Sequence, residues 1–233
     1  MISTLVLLAG GMATRLKHVT EKIPKSMLEV AGRPFISYQL DLIKKNNIKQ
    51  VVICASYLGE YIKDYLDKEK IHEPEIKYSF DGNKLLGTGG AIKKALSLLD
   101  ENFFIMYGDS YLNTDFQKVG EYFFSENKSG LMTVFRNDGK YDKSNIEYED
   151  HRILNYSKKN PDDKMKFIDY GLGILTSKAF HDFEGIAEFD LEQVYRNLLL
   201  KNELLGYEVK ERFYEIGSFQ GLEETNNYLL INK

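Results

Sequence analysis

The stretch Leu7 to Lys25, L-L-A-G-G-M-A-T-R-L-K-H-V-T-E-K-I-P-K, decides how the rest of the chain is read. Before it, Ile2 to Leu8 is an apolar run of strand length, closed by the paired glycines Gly10 and Gly11. Two adjacent glycines let the backbone turn sharply and bring its N–H groups close to a ligand with no Cβ in the way. Thr14 and Arg15 follow, and Pro24-Lys25 comes shortly after. A strand, a glycine loop, an arginine and a proline-positioned lysine together describe an anion site, best suited to a polyphosphate. The plain alternative is an ordinary strand-to-helix turn with a surface Arg and Lys nearby.

The spacing excludes two commoner phosphate loops. A P-loop needs G-x-x-x-x-G-K-[ST], and no Gly-Lys-Ser or Gly-Lys-Thr occurs in the chain. A dinucleotide-binding turn needs G-x-G-x-x-G, and Gly10-Gly11 lacks the third glycine. What remains resembles the signature of the sugar-phosphate nucleotidyltransferases, or NDP-sugar pyrophosphorylases, roughly L-A-G-G-x-G-T-R-L followed by P-K-x-[ML]. Ala13 stands where many members have glycine. The resemblance runs along nearly the whole chain.

Composition agrees with a globular enzyme. The chain has 233 residues, 43% hydrophobic and 28% charged, enough apolar surface for a proper core. A net charge of −4 offers no basic stripe, which argues against a nucleic-acid polymer as partner but leaves a mononucleotide open. No apolar run reaches the roughly 20 residues of a membrane span, and the N-terminus has neither the basic leader nor the cleavage site of a signal peptide. The lone Cys54, in Val51 to Ala55, reads as a buried core thiol, and the expected location is the cytoplasm. A homodimer is the general expectation for a small enzyme of this kind.

Through residue 110 the chain alternates strand and helix. Strands are expected at Ile2–Leu8, Met27–Val30, Val51–Ala55, Glu75–Phe80 and Phe103–Tyr107. Helices are expected from Pro34 to Asn46, Tyr57 to Asp67 and Ala91 to Leu99. This rhythm predicts an α/β fold, a Rossmann-like, doubly wound, predominantly parallel mixed sheet. Ligands in such sheets lie beyond the carboxyl ends of the strands, where Gly10-Gly11, Gly87-Thr88-Gly89-Gly90 and Gly108-Asp109 all fall. The second half should complete the sheet and add a small acceptor-binding lobe at its edge. The whole, 1–233, reads as one nucleotidyltransferase domain, with a nucleotide-binding half (1–110) and an acceptor-binding half carrying the second metal ligand (111–233).

The resemblance implies the roles of individual residues. Asp109, in Tyr107-Gly108-Asp109-Ser110, matches the family's G-D-x and would bind Mg²⁺. Glu215, in Glu215-Ile216-Gly217-Ser218, matches the second metal-binding carboxylate, with Glu for the commoner Asp. Two carboxylates with phosphate oxygens and waters satisfy Mg²⁺. The implied substrates are a nucleoside triphosphate and a phosphorylated small molecule, joined with release of pyrophosphate. Arg15 would hold the β- and γ-phosphates, and Lys25 the α-phosphate and the attacking phosphate. Arg15→Ala should cost about 3 kcal/mol, on the order of 100-fold in rate.

Nucleotide contacts are expected from Leu8, Ala9, Gly10, Gly11, Met12, Ala13 and Thr14, and from Gly87, Thr88 and Gly108. Asp81 and Asn83 are both candidates to read the base. A carboxylate accepts from an exocyclic amine, which favours CTP or GTP, with CTP preferred; Asp81-Gly82 is equally a plain turn. On the acceptor side, relatives read I-L-x-F-x-E-K and then N-[AG]-G. This chain has Ile153-Leu154-Asn155-Tyr156-Ser157-Lys158-Lys159 and Asp169-Tyr170-Gly171. Lys158 and Asp169 replace a Glu and an Asn, a cation and an anion that suit a phosphorylated amino acid; Lys159, Tyr170 and Gly171 complete the expected acceptor set. A sugar 1-phosphate transferase and a catalytically silent nucleotide-binding homologue are the rival readings. Four scattered histidines without paired spacing give no support to zinc.

Overall fold

The computed structural model describes residues 1–11, 23–56, 58–71, 73–82 and 84–232. Four strands form a parallel half-sheet: β1 (Thr4–Leu8), β4 (Gln50–Ala55), β5 (Glu75–Phe80) and β6 (Asn102–Tyr107). β1 lies between β4 and β6, and β5 is hydrogen-bonded to the far side of β4. The near-continuous apolar sequences of β1, β4 and β6 follow from burial on both faces, whereas β5, the outermost strand, alternates polar and apolar residues. Leu5 and Leu7 face one helical layer, Val6 and Leu8 the other, the alternation a strand imposes.

One layer holds α1 (Phe35–Lys45), α2 (Gly59–Glu69) and α4 (Phe116–Glu126), contributing Ile36, Ile43, Ile62 and Phe116 to its core. The opposite layer holds α3 (Gly87–Ala95) and α5 (Leu191–Leu200), with Ile92, Val194 and Leu198. α4 starts where Asp115 accepts from the N–H groups of Gln117 and Lys118, an N-cap.

Beyond β6 the same sheet turns largely antiparallel. The long β11 (Phe167–Thr176) pairs with β6, with β8 (Gly130–Arg136) and at one residue with β9 (Ile146–Glu149). β9 and β10 (Arg152–Tyr156) form a hairpin at the sheet edge, and β12 (Leu204–Val209) runs parallel to β8. The nine strands form one mixed sheet, with this hairpin hydrogen-bonded into its edge.

A separate two-stranded ladder pairs β7 (Ser110–Leu112) with β13 (Phe213–Glu215), Glu215 opposite Ser110. α6 (Phe219–Ile231) follows it, capped by Ser218, which accepts from the Gly221 N–H. A small hairpin, β2 (Glu29–Val30) with β3 (Arg33–Pro34), completes the strands.

Several boundaries differ from the sequence reading; α3, for one, starts at Gly87 and ends at Ala95, against the expected Ala91 to Leu99. Met27 to Val30 is not one strand: a 3₁₀ turn over Lys25–Met27, closed by Met27 N–H on Pro24 O at 2.9 Å, precedes the two-residue β2. Pro34 precedes α1 with ψ 136° rather than forming its first turn. Among the described residues no helix is long and apolar enough to cross a membrane.

Candidate functional site

A cavity of about 250 Å³ opens where the four parallel strands end. Its wall takes Leu8 to Gly11 after β1, Ser56 after β4, Asp81 after β5, and Gly108-Asp109 after β6. Parallel strands all present their carboxyl ends to the same edge, which is why residues up to a hundred positions apart converge. Gly108 lies so close to β1 that a Cβ there would fall 2.7 Å from Leu8 O, the atom its own N–H binds at 3.0 Å. Gly10 and Gly11 line the cavity beside it, and their N–H groups have no partner among the described residues.

At one end stand Lys25 and Asp109. Lys25 Nζ lies 2.6 Å from Asp109 Oδ2, with the lysine side chain 16% exposed and the carboxylate 36%. The 3₁₀ turn after Pro24 sets Lys25 there, and Asp109 leaves β6 through a single glycine. Asp109 O accepts from Ile216 N–H at 3.0 Å, which ties it to the β7–β13 ladder and to Glu215. Glu215 bends back into its own turn: Oε2 accepts from Gly217 N–H and Oε1 from Ser218 Oγ. Each of its oxygens keeps a lone pair, and Lys25 Nζ and Glu215 Oε2 both lie within 2.8 Å of the point a Gly217 Cβ would occupy. Two hard carboxylates, Glu215 at the end of the ladder and Asp109 just ahead of it, suit Mg²⁺, which needs no more from a protein, and no cluster of three acidic, His or Cys ligands exists among the described residues. Asp109 and Glu215 would hold the ion.

At the other end Asp81 lines the wall, with Oδ2 accepting from Leu86 N–H at 3.2 Å. Burial pushes its carboxyl above the ordinary value, against the lowering pull of that N–H and of Lys94. Cys54, expected in the core, is buried and also reaches the cavity; burial pushes its thiol up to about 12. Gly87 and Thr88 line the wall, but the first turn of α3 is not an open anion site. Gly89 and Gly90 both donate to Phe189 O at 3.0 Å, and Thr88 Oγ1 accepts from Leu191 N–H at 2.8 Å.

Tyr107 joins this cavity to the expected acceptor residues. Its hydroxyl donates to Asp169 Oδ2 at 3.2 Å and accepts from Lys158 Nζ at 3.1 Å, and Lys158 lies 4.9 Å over its ring. Lys158 Nζ is 3.7 Å from Asp169, whose side chain is 6% exposed against 41% for the lysine. Gly171 N–H donates to Asp169 Oδ1 at 3.0 Å. Burial, Asp169 and Asp109 together push the Tyr107 hydroxyl well above the usual phenol range, so it stays protonated as a donor.

One acceptor expectation needs correction. Tyr170 is 1% exposed and packs edge-on against Phe213 in the core, because neighbours on a strand point to opposite faces and Asp169 takes the side that meets the Tyr107 hydroxyl. Lys159 is exposed and pairs with nothing among the described residues. Met12, Ala13, Thr14, Arg15 and Asn83 lie outside the described residues. Sequence reasoning missed Ser56, whose Oγ donates to Gly10 O at 2.6 Å, and Asp190, which also lines the cavity wall. The position of Ser56 just past a buried strand was the available signal.

The chain and its fold have counterparts among known proteins. The chain is 30% identical over 228 residues to D-glycero-alpha-D-manno-heptose 1-phosphate guanylyltransferase of Campylobacter jejuni, covering 97% of this chain and 98% of that one. It is 23% identical over 225 residues to glucose-1-phosphate cytidylyltransferase of Salmonella typhi, covering 87% and 86%. Among solved structures, HddC from Yersinia pseudotuberculosis in complex with GMP-PN superposes with a TM-score of 0.81 at 26% identity, over 98% of this chain and 100% of that one. The family model for nucleotidyl transferase matches residues 4–229, which takes in the glycine loop, both carboxylates and the Tyr107 cluster, and the chain belongs to that family.

Proposed function

We propose that this protein transfers a nucleotidyl group from CTP or GTP to the phosphate of a small acceptor. A phosphate oxygen of the acceptor attacks the α-phosphorus, the bond from that phosphorus to the bridging oxygen breaks, and pyrophosphate leaves with the electron pair. The observation that carries this reading is the single cavity with Lys25 and Asp109 at one end and Asp81 at the other, at the ends of four parallel strands. Charge grows on the leaving oxygens, and fixed cations and N–H groups stabilise it without reorganising. Lys25 supplies the cation, Gly10 and Gly11 the N–H groups, and Asp81 accepts from an exocyclic amine of the base. Mg²⁺, held by Asp109 and Glu215, would neutralise phosphate charge.

The acceptor is read first as a sugar 1-phosphate, the class named in both curated relatives. A second reading has a specific observation behind it. Lys158 and Asp169 set a cation and an anion 3.7 Å apart beside Tyr107, a pattern that matches the carboxylate and ammonium of an amino acid. The chain also resembles CTP:phosphoglutamine cytidylyltransferase of capsular phosphoramidate synthesis, a branch of the same family. The test is pyrophosphate release across CTP, GTP, UTP, dTTP and ATP against heptose 1-phosphate, mannose 1-phosphate, glucose 1-phosphate and glutamine phosphate, with and without Mg²⁺. Turnover of a sugar phosphate establishes the first acceptor and glutamine phosphate alone the second. No release with any pair would sink the enzymatic reading and favour a silent nucleotide binder.

A further inference from the structure

Gln39 lies in the middle of α1, well removed from every motif that marks the cavity, and its side chain is fully buried. Its Nε2 donates to two backbone carbonyls, Tyr107 O at 3.0 Å and Ser110 O at 2.9 Å. Those two carbonyls bracket the pair Gly108-Asp109. A single amide group therefore closes the turn that carries the carboxylate, from behind, on the helical side of the sheet. Its Oε1 finds no partner among the described residues. A buried acceptor left unpaired costs free energy, so Gln39 is a costly choice where an apolar side chain would fill the same space.

The consequences of that clamp reach beyond one turn. Tyr107 carries the hydroxyl that meets Asp169 and Lys158, and Ser110 opens β7, opposite Glu215. Gly108, between them, has no side chain with which to fix its own backbone. We propose that Gln39 is a positioning residue for nucleotidyl transfer: by holding Tyr107 O and Ser110 O it sets the direction of the Asp109 carboxylate and its 2.6 Å pair with Lys25. The inference builds on the reading of Lys25 and Asp109 as the phosphate end, and it adds a residue that touches neither substrate. Misplacing a reacting group by about 1 Å can cost on the order of 100-fold in rate, so loss of the clamp should be felt in turnover more than in nucleotide binding.

The test is Gln39→Met, which keeps the length and approximate volume of the side chain and removes both donors. The matched control is Asn137→Leu, which removes another buried amide, one that donates to Asp142 O and Ser144 Oγ away from the cavity. Lys25 is labelled with a lysine-selective acylating reagent and followed by peptide mass spectrometry, while kcat and KM are measured with the best substrate pair. In Gln39→Met, Lys25 should label severalfold faster than in wild type. Turnover should fall by about 10- to 100-fold, with KM for the nucleotide within about twofold. Asn137→Leu should lose stability with Lys25 labelling and kcat both as in wild type. Lys25 labelling in Gln39→Met equal to wild type overturns the proposal, whatever the kinetics. Wild-type protein that turns over no substrate pair removes the functional reading, and the labelling still judges Gln39.

Discussion

Tyr107→Phe is the substitution that most cleanly separates the two ends of the site. It deletes one oxygen and keeps the ring under Lys158. What is lost is the donation to Asp169 Oδ2 at 3.2 Å and the acceptance from Lys158 Nζ at 3.1 Å. Asp169 is nearly buried, and removing one partner from a buried charged acceptor costs about 1–3 kcal/mol. It keeps the Gly171 N–H at 3.0 Å and Lys158 at 3.7 Å, which argues for the lower part of that range. A cost of about 1–2 kcal/mol, at tenfold per 1.4 kcal/mol, raises the acceptor KM by about 5- to 30-fold. The nucleotide KM should stay within about twofold, since Gly108 and Asp109 are held by backbone bonds that the substitution leaves alone. Initial rates of pyrophosphate release with each substrate varied in turn measure both constants, and urea unfolding measures stability beside them. If the unfolding free energy drops by the calculated amount while the acceptor KM stays fixed, Tyr107 only braces the fold and the acceptor assignment of Lys158 and Asp169 fails. An equal rise in both KM values would refute the separation of the two ends.

Three further outcomes follow from the same geometry. Lys25→Met should lower kcat/KM by about 100- to 1,000-fold, the effect of deleting one preorganised electrostatic donor; a partly exposed ion pair is worth no more than about 1 kcal/mol to the fold, so the denaturation midpoint should barely move. Asp81 has its carboxyl pushed above the ordinary value by burial, so the fold favours its protonated form and loses stability as pH rises from the acid range through the raised value. Asp81→Asn should therefore be at least as stable as wild type at neutral pH, with that advantage fading in acid, while discrimination between CTP or GTP and UTP is lost; urea melts across pH and competition assays read the two effects. Gly87 sits at φ +72°, and a Cβ there would come within 2.6 Å of Phe189 O. Gly87→Ala combines a disfavoured backbone conformation with a backbone clash and should destabilise by about 1–3 kcal/mol, read by chemical denaturation; an unchanged midpoint would mean that the α3–α5 contact gives way freely.

What the sequence made legible was whatever depends on local order. Buried parallel strands announce themselves as short apolar runs, and the residue that follows each must lie at the ligand edge, so Gly10, Gly108 and Asp109 could be placed before any coordinates. Tyr170 was misplaced because Asp-Tyr-Gly was matched as a motif, although strand alternation alone forbids Asp169 and Tyr170 from facing the same side. Phe189 could not have been foreseen as the partner of Gly89 and Gly90, nor Asp190 as part of the cavity wall, since both contacts join residues about a hundred positions apart through the packing of α3 on α5. Gln39 was legible only in part: four residues from both Phe35 and Ile43, it falls on the buried stripe of α1, but the two carbonyls it meets lie about seventy positions away.

The asymmetry of the Lys158–Asp169 pair bears directly on which acceptor the site would take. Lys158 is the exposed partner and Asp169 the buried one. Opening the pair costs little on the lysine side, where water replaces the lost contact. On the aspartate side an entering group must restore the lost bonding, because a buried carboxylate without a partner is expensive. A sugar hydroxyl can insert as a neutral donor to Asp169 and leave Lys158 in place. An amino-acid ammonium must displace Lys158, yet brings its own charge to the buried carboxylate and, on the same molecule, a carboxylate to the lysine it has displaced. The two cases differ in what Lys158→Met should do. With a sugar acceptor the change leaves the hydroxyl contact to Asp169 standing. With an amino-acid acceptor it removes the cation that would meet the acceptor's carboxylate. A loss of acceptor affinity that shrinks as salt is raised marks the second case, and a loss indifferent to salt marks the first.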